Sequence, residues 1–360
     1  MFTYLFLLRN LKPGMKKKIL TIFQYLFFLG LGVFLVWWSV SKMSDKDLAD
    51  CKNALQSARY FLFIPVFFIL TISHVSRAMR WKLLMKPMGY SPSLLNTFFA
   101  VMVGYLANLA VPRLGEILKC TILGKYEKVP PDKLVGTILI ERAVDVICLL
   151  LVFLIAIISQ ASILSNYATK TIKDNFIAGG IKPLIIKLLI IIFIILSVFF
   201  ISKWVFKKFG HSKIINKINN IFIGIKTGII SVKAMENKWS FIFHSILIWT
   251  CYLAGTYLGF FATKGTDTLP IAAVFPILAF ASIGMIITPG GIGAYPRFIM
   301  EVMLLYNIEK GIGYANGTLQ WVAQFLIILI IGFISLILLP LYNKRRTLKN
   351  EKNLILNQHH

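Results

Sequence analysis

The chain has 360 residues, 58% of them hydrophobic, with a mean hydropathy of +0.76 and a formal net charge of +25. A soluble globular domain is nearer half apolar, whereas here apolar runs long enough to cross a bilayer recur along the chain. This excludes a soluble nucleic-acid binder as the meaning of the positive charge: the lysines gather in short loops between the apolar runs, where cytoplasmic retention puts them. The reading is an all-α polytopic membrane protein with no nucleic-acid partner. The four cysteines, Cys51, Cys120, Cys148 and Cys251, form no C-x-x-C pair, so neither a disulfide framework nor a zinc site is expected. The sequence contains no nucleophile motif, no phosphate-cradling glycine loop and no metal-ligand spacing, and neither a metal nor another cofactor is expected.

In chain order, Lys12, Lys16, Lys17 and Lys18 precede a first apolar run over 19–40. It is too long for a signal peptide and lacks a small-residue cleavage site, so it reads as an uncleaved span with Trp37 and Trp38 at its far interface. The balanced charge of 41–59 reads as an outer loop. The second span starts near Tyr60, ends near Ser76, and exits through Arg77, Arg80, Lys82 and Lys86 with no acid among them. The apolar segment 93–111 carries Asn96, Gly104 and Asn108 and ends in Pro112-Arg113-Leu114-Gly115-Glu116. Basic loops flank it on both sides. It is therefore either a re-entrant hairpin that enters and leaves by one face or a helix lying on the surface.

The third span, about 134–159, holds Glu141, Arg142 and Asp145. Glu141 and Asp145 share a helix face, with Arg142 about 100° away. Each such group costs about 2.5–3.5 kcal/mol at a helix centre on insertion scales. They must pair with one another, with Arg113 or Arg80, or with a substrate; an ion network that locks helices together and a substrate site both remain open. An outer loop, a featureless fourth span over 183–202 and a basic stretch over 203–238 follow. In the last of these, Ile214, Ile218, Ile221, Ile225 and Ile229 recur near helical spacing among lysines, the pattern of an amphipathic helix on the inner leaflet. The fifth span, 239–262, contains Gly255 and Gly259, a small-xxx-small spacing that leaves room for a homo-oligomer.

The run 270–287 leads into Thr288-Pro289-Gly290-Gly291-Ile292-Gly293. This cannot be a smooth helix, because Pro289 removes a donor and Gly290, Gly291 and Gly293 accept angles that other residues refuse. Arg297 and Glu301 then fall four apart on a helix restarting near Ala294. A broken helix followed by an ion-pair-capable face is how many transporters build a midplane site; a plain loop with a surface ion pair is the alternative. The last span, 314–341, ends at Lys344, Arg345 and Arg346. The positive-inside rule places both termini in the cytoplasm and requires an even number of crossings. The fold is therefore six to eight transmembrane helices with one or two re-entrant or broken elements, the number depending on whether 270–306 is a hairpin or two spans. Residues 1–343 form one integral domain of the cytoplasmic membrane and 344–360 a short tail. Two broken elements entering from opposite faces is the arrangement of inverted-repeat transporters.

Four motifs occur in a telling order: Arg77-Ala78-Met79-Arg80-Trp81, Pro112-Arg113-Leu114-Gly115-Glu116, Glu141-Arg142-x-x-Asp145, and Pro289-Gly290-Gly291-Ile292-Gly293. Taken together they resemble the lysylphosphatidylglycerol synthase transmembrane region, the flippase-like half of the multiple peptide resistance factor, which also occurs as standalone proteins. The resemblance runs from about Gln24 to Leu341. It implies a lipid or lipid-linked substrate moved across the membrane. It does not carry over aminoacyl transfer, for which the 20 or so residues after the last span leave no domain. The chain departs from the family after the glycines, where Tyr295-Pro296-Arg297 stands in place of a Phe-Glu-like pair and leaves Glu301 as the nearest acid.

The expected function is a lipid translocator whose partners are membrane lipids, an anionic phospholipid or a lipid-linked substrate. Arg113 and Arg297 would hold a phosphate. Glu116, Glu141, Asp145 and Glu301, together with Arg142, would balance those charges or bind a cationic headgroup. Arg77, Arg80, Asn108, Pro289, Gly290, Gly291 and Gly293 would support the site. No residue is assigned a catalytic role. The alternatives are an integral membrane transferase acting on a lipid-linked substrate, and a membrane scaffold for a separate synthase.

Overall fold

The computed structural model describes residues 26, 29–111, 113–160 and 235–358. The expected fourth span, nearly all of the basic amphipathic segment and the first half of the first span lie outside the described residues. Within them all regular structure is helical. The helices are α1 (Leu29–Ser41), α2 (Asp45–Gln56), α3 (Phe63–Met85), α4 (Leu94–Ala110), α5 (Leu114–Glu127), α6 (Pro131–Ser159), α7 (Lys238–Phe260), α8 (Val274–Ile287), α9 (Ala294–Leu304) and α10 (Lys310–Gln358). Four stretches among the described residues are long and apolar enough to cross a membrane: Tyr60–Met88, Pro131–Ser159, Lys238–Phe260 and Lys310–Lys349. The chain is an integral membrane protein.

It divides into two compact units. One comprises residues up to Ile138 and from Met235 onward; the other is Leu139–Ala234, of which 139–160 are described. In the first unit, α10 serves as a ruler for everything packed beside it. Gly313 faces Met300 and Gly317 faces Pro296. Farther along, the indole of Trp321 donates to the Gly290 carbonyl at 2.7 Å and the Gln324 amide to the Tyr295 hydroxyl at 2.7 Å. Beyond these, Gly332 faces Met102 and Leu106. Asn343 exchanges amide hydrogen bonds with Asn96 at 2.8 and 2.9 Å, and Arg346 pairs with Glu127 at 2.6 Å. One stretch of α10 thus carries the α8–α9 hairpin and the next carries the α4–α5 hairpin.

This packing bears on both topological alternatives. With the 3-10 turn that precedes α8 the first arm runs Ile271–Ile287, about 26 Å, and α9 has 11 residues, about 17 Å at 1.5 Å per residue, both shorter than a hydrocarbon core of about 30 Å. They are a hairpin rather than two spans. Helix α4 is no surface helix: Ala100, Val101, Met102 and Val103 are buried, and α4 packs against α3, α5 and α10. The two hairpins enter from opposite ends of the bundle and meet at their tips. A Cβ built on Gly290 would stand 3.2 Å from Leu109. Each hairpin has its own apolar core. Phe260, Ile277, Ala281, Tyr295, Ile299 and Met303 surround α8–α9. Leu70, Met102, Ile327 and Ile331 form the core beside α4.

Several boundaries differ from the sequence reading. The segment 41–59 is not bare loop. Ser44 accepts from the Asp47 backbone N–H and the Asp47 carboxylate accepts from Ser44, a reciprocal cap that starts α2. Lys46 then ties α2 to Glu309 at 2.8 Å, and its ammonium holds the Glu309 carboxyl below the usual carboxylate range. Helix α3 continues through Arg77 and Arg80 to Met85 instead of ending near Ser76. The last helix runs from Lys310 through the expected tail to Gln358. Gly255 and Gly259 are spent inside the chain, against Leu70 and Gln320, rather than offered to a second copy.

The α4–α5 hairpin closes by backbone approach. The Gly115 N–H donates to Asn108 Oδ1 at 2.8 Å, and a Cβ on Gly115 would overlap the Gly104 carbonyl and the Asn108 side chain. Gly115→Ala should lower stability by about 1–3 kcal/mol through overpacking. Gly136→Ala, where a Cβ meets nothing within 4 Å, should be neutral or stabilising. Thermal unfolding of both variants in detergent checks the contrast.

Candidate functional site

The site is built where two helices stop inside the bundle. In α8 the ladder ends because Pro289 has no N–H to donate. The chain then passes through Gly290 at φ +61° before α9 begins at Ala294. The break is nonetheless well satisfied. The Gly291 N–H donates to the Thr288 carbonyl at 3.0 Å, the Thr288 hydroxyl to the Ile292 carbonyl at 2.9 Å, and Trp321 caps the Gly290 carbonyl. On the other hairpin, Arg113 takes φ +66°, left-handed backbone that a non-glycine residue adopts at a cost of about 1 kcal/mol. That cost places an exposed guanidinium-bearing residue at the hairpin tip, with Glu116 half-buried in the first turn of α5.

Arg297 stands one turn into α9. It pairs with Glu301 at 2.5 Å, and its guanidinium lies 4.7 Å over the ring of Trp38 from α1. Helix α1 reaches it because Gly32 sits against the backbone of Ile292 and Gly293. Judged along α10, Arg297 lies near the level of Gly317, beyond the tip at Trp321 and away from the basic end marked by Arg346. The structure therefore gathers Arg113, Asn108, Gly290, Gly291 and Pro289 at or beside the meeting point. The Arg297–Glu301 pair stands a turn or two farther along. Glu141, Arg142 and Asp145 belong to the other unit, in which Glu141 is buried, Asp145 half-buried and Arg142 exposed.

Arg77 and Arg80 do not stand at an interfacial exit. Both are buried in the seam between α3 and α7. Arg77 Nη2 donates to the Tyr252 hydroxyl at 3.1 Å and its guanidinium lies 5.9 Å from the Tyr105 ring centroid. Arg80 Nη1 donates to Ser245 Oγ at 3.3 Å, with Phe241 beside it at 5.8 Å. Lys119, read only as part of a basic loop, is buried with its ammonium 4.6 Å over Trp81.

The sequence reading also missed a polar stripe on α10. Asn316 Nδ2 donates to the Gly259 carbonyl at 2.7 Å and to the Thr263 and Thr266 hydroxyls at 3.0 Å each. Gln320 donates to Asn316 at 2.8 Å, and Gln324 reaches Tyr295. The signal was present: three carboxamides spaced four apart in an apolar helix face one side, and in hydrocarbon each needs a partner.

Residues 22–332 match the family model described as the lysylphosphatidylglycerol synthase TM region. The chain is also similar to a protein named as a UPF0104 membrane protein from Methanocaldococcus jannaschii, with 22% identity over 346 residues, covering 90% of this chain and 95% of the relative. No solved structure matches the chain.

The stripe and the tip make different demands. Asn316→Leu removes the amide that donates into the Gly259, Thr263 and Thr266 cluster and accepts from Gln320, and should cost about 2–3 kcal/mol, whereas Trp321→Phe removes one donor and should cost about 1 kcal/mol. Unfolding midpoints in detergent, compared under one condition, check the order.

Proposed function

Because the chain belongs to the lysylphosphatidylglycerol synthase transmembrane-region family, we propose that it is a lipid translocator of the cytoplasmic membrane, with both termini on the cytoplasmic side. The observation that carries this reading is the tip-to-tip meeting of α4–α5 and α8–α9 at Leu109 and Gly290. Two hairpins that each cover part of the membrane thickness replace one continuous helix with a break at depth. A charged headgroup crossing bare hydrocarbon faces a prohibitive desolvation cost. A break lined by satisfied backbone and flanked by guanidinium groups lowers that cost locally.

In this reading Arg113 receives the phosphate at the tip, and Arg297 takes it one to two turns farther on. Arginine suits both steps because its planar fork pairs with phosphate oxygens two at a time. Glu301, nearly half exposed at 45%, is the counter-ion that Arg297 exchanges for the phosphate and regains on release. Glu116 balances the remaining charge, while Glu141 and Asp145 are the carboxylates that a headgroup would meet in the other unit. The lipid tails stay in the bilayer while the headgroup moves, and the movement runs downhill or is coupled to an ion.

The test is leaflet-resolved labelling of lipid in vesicles containing the purified protein. The wild type should accelerate exchange between leaflets, and Arg297→Ala and Glu141→Gln should each slow it on the order of tenfold or more, the scale of a charge-assisted contact. If both variants move lipid as fast as the wild type, the site assignment is wrong. Lipid mass spectra from cells lacking the protein separate translocation from synthesis, since a changed lipid structure would favour a transferase.

A further inference from the structure

Helix α1 brings an aromatic row to Arg297, and the phosphate path described above leaves that row unused. Gly32 and Ser39, on one face of α1, are its buried residues. Gly32 lies against the break in α8–α9. A Cβ built on it would stand 2.9 Å from the Ile292 carbonyl oxygen, and one built on Gly293 would meet the Gly32 carbonyl and the Val36 backbone N. Backbone thus packs on backbone just ahead of Arg297, and this close approach fixes which face of α1 turns toward α9. Trp37 is 63% exposed, the position of an ordinary interfacial anchor. Trp38 instead lies between two groups: the Arg297 guanidinium stands 4.7 Å over its ring, and Phe34, one turn earlier, stacks on it with centroids 6.4 Å apart and planes within 8°.

The two contacts that hold the Arg297 guanidinium respond differently to a phosphate. Glu301 accepts from Nη2, so it competes for the donors that a phosphate oxygen would use. The indole attracts the charge through its π face and offers no oxygen acceptor. A guanidinium can rest on an aromatic face and still present its N–H fork to an oxyanion. The Arg297 side chain is 21% exposed, so an incoming group meets it at the surface of the bundle. When the carboxylate gives way the indole remains, and a long side chain need not be ordered anew as the phosphate binds.

We infer that Trp38 is a positioning residue for Arg297: it holds the guanidinium through its π face while Glu301 is exchanged for the phosphate of a lipid headgroup. The inference rests on the translocator reading and makes the first helix part of the site as well as a membrane anchor. Phe34 supports the indole from behind, and Gly32 sets the distance at which α1 stands from the break.

The experiment measures phosphatidylglycerol binding to the full chain in detergent by native mass spectrometry. Trp38→Leu and Trp38→Phe are each made alone and together with Arg297→Gln. Trp38→Leu alone should weaken binding about fivefold, the scale of one partly exposed cation–π contact. Trp38→Phe, which keeps a π face, should stay within about twofold of the wild type. In the Arg297→Gln background Trp38→Leu should have no further effect, because a residue that acts through Arg297 then has nothing to position. Trp38→Met repeats the test if the leucine variant does not fold. Unchanged binding in Trp38→Leu overturns the inference. So does a loss of the same size with and without Arg297, the mark of a plain membrane anchor. Displacement of the lipid by free glycerol phosphate at equal concentration overturns a lipid as the ligand of Arg297. A Trp38 effect that requires Arg297, in a protein that moves no lipid, overturns the translocator and keeps the positioning role; lipid movement by a protein whose binding ignores Trp38 does the reverse.

Discussion

Every backbone N–H and C=O that leaves a helix inside hydrocarbon needs a replacement partner, and the rest of this molecule is arranged around meeting that need at two places. At the α8–α9 break the partners are the Thr288 hydroxyl and the Trp321 indole. At the α4–α5 turn they include the Asn108 carboxamide. Each is supplied by a neighbouring turn or by α10, so the breaks depend on close contact. This is why small residues concentrate there: Gly104 against Gly115, and Gly284 against the backbone of Tyr295. A larger residue at any of these points would separate a carbonyl or N–H from its partner as well as crowd the packing.

The polar residues fall into two groups with different meanings. Asn316, Gln320, Thr263 and Thr266 satisfy one another and the Gly259 carbonyl. Such a closed network fixes the loop after α7 onto α10 and offers little to a ligand. The guanidinium groups are placed differently. Arg113 projects from a hairpin tip on strained backbone, and Arg297 divides its charge between a carboxylate and an indole face. Strained backbone persists only where the surrounding structure holds it in place, and the proposed function rests on these two positions.

Much of the fold could be read from the residues because the hydrophobic requirement is strict. Pro289 with three nearby glycines announced a break, and basic residues on both sides of 93–111 announced a segment returning to its own face. What escaped was set by partners distant in the chain. Nothing local says that Arg77 and Arg80 are buried; they are buried because α7 brings Ser245 and Tyr252 to them. Gly255 and Gly259 carry a spacing that fits a second copy as well as it fits α3 and α10, and only the packed bundle chooses between them. The cap that begins α2 was legible as Ser44 with Asp47 three residues later, yet balanced charge drew the reading toward loop. The carboxamide stripe of α10 was overlooked because an apolar average hides three well-spaced exceptions.

Both hairpins are phased by a single continuous helix. Between Gln324, which holds one, and Gly332, which receives the other, α10 contains no proline or glycine; its internal proline, Pro340, lies beyond, just before the Asn343 clamp. The α8–α9 hairpin and the α4–α5 hairpin are therefore joined through one uninterrupted stretch of α10 across their meeting point. Beyond that stretch comes Pro340, where the missing N–H leaves a carbonyl one turn earlier without its helical donor. The proline of α10 thus lies in the half that carries Arg113, whereas the half that carries Arg297 meets the helix at Gly313 and Gly317, where small residues serve close packing.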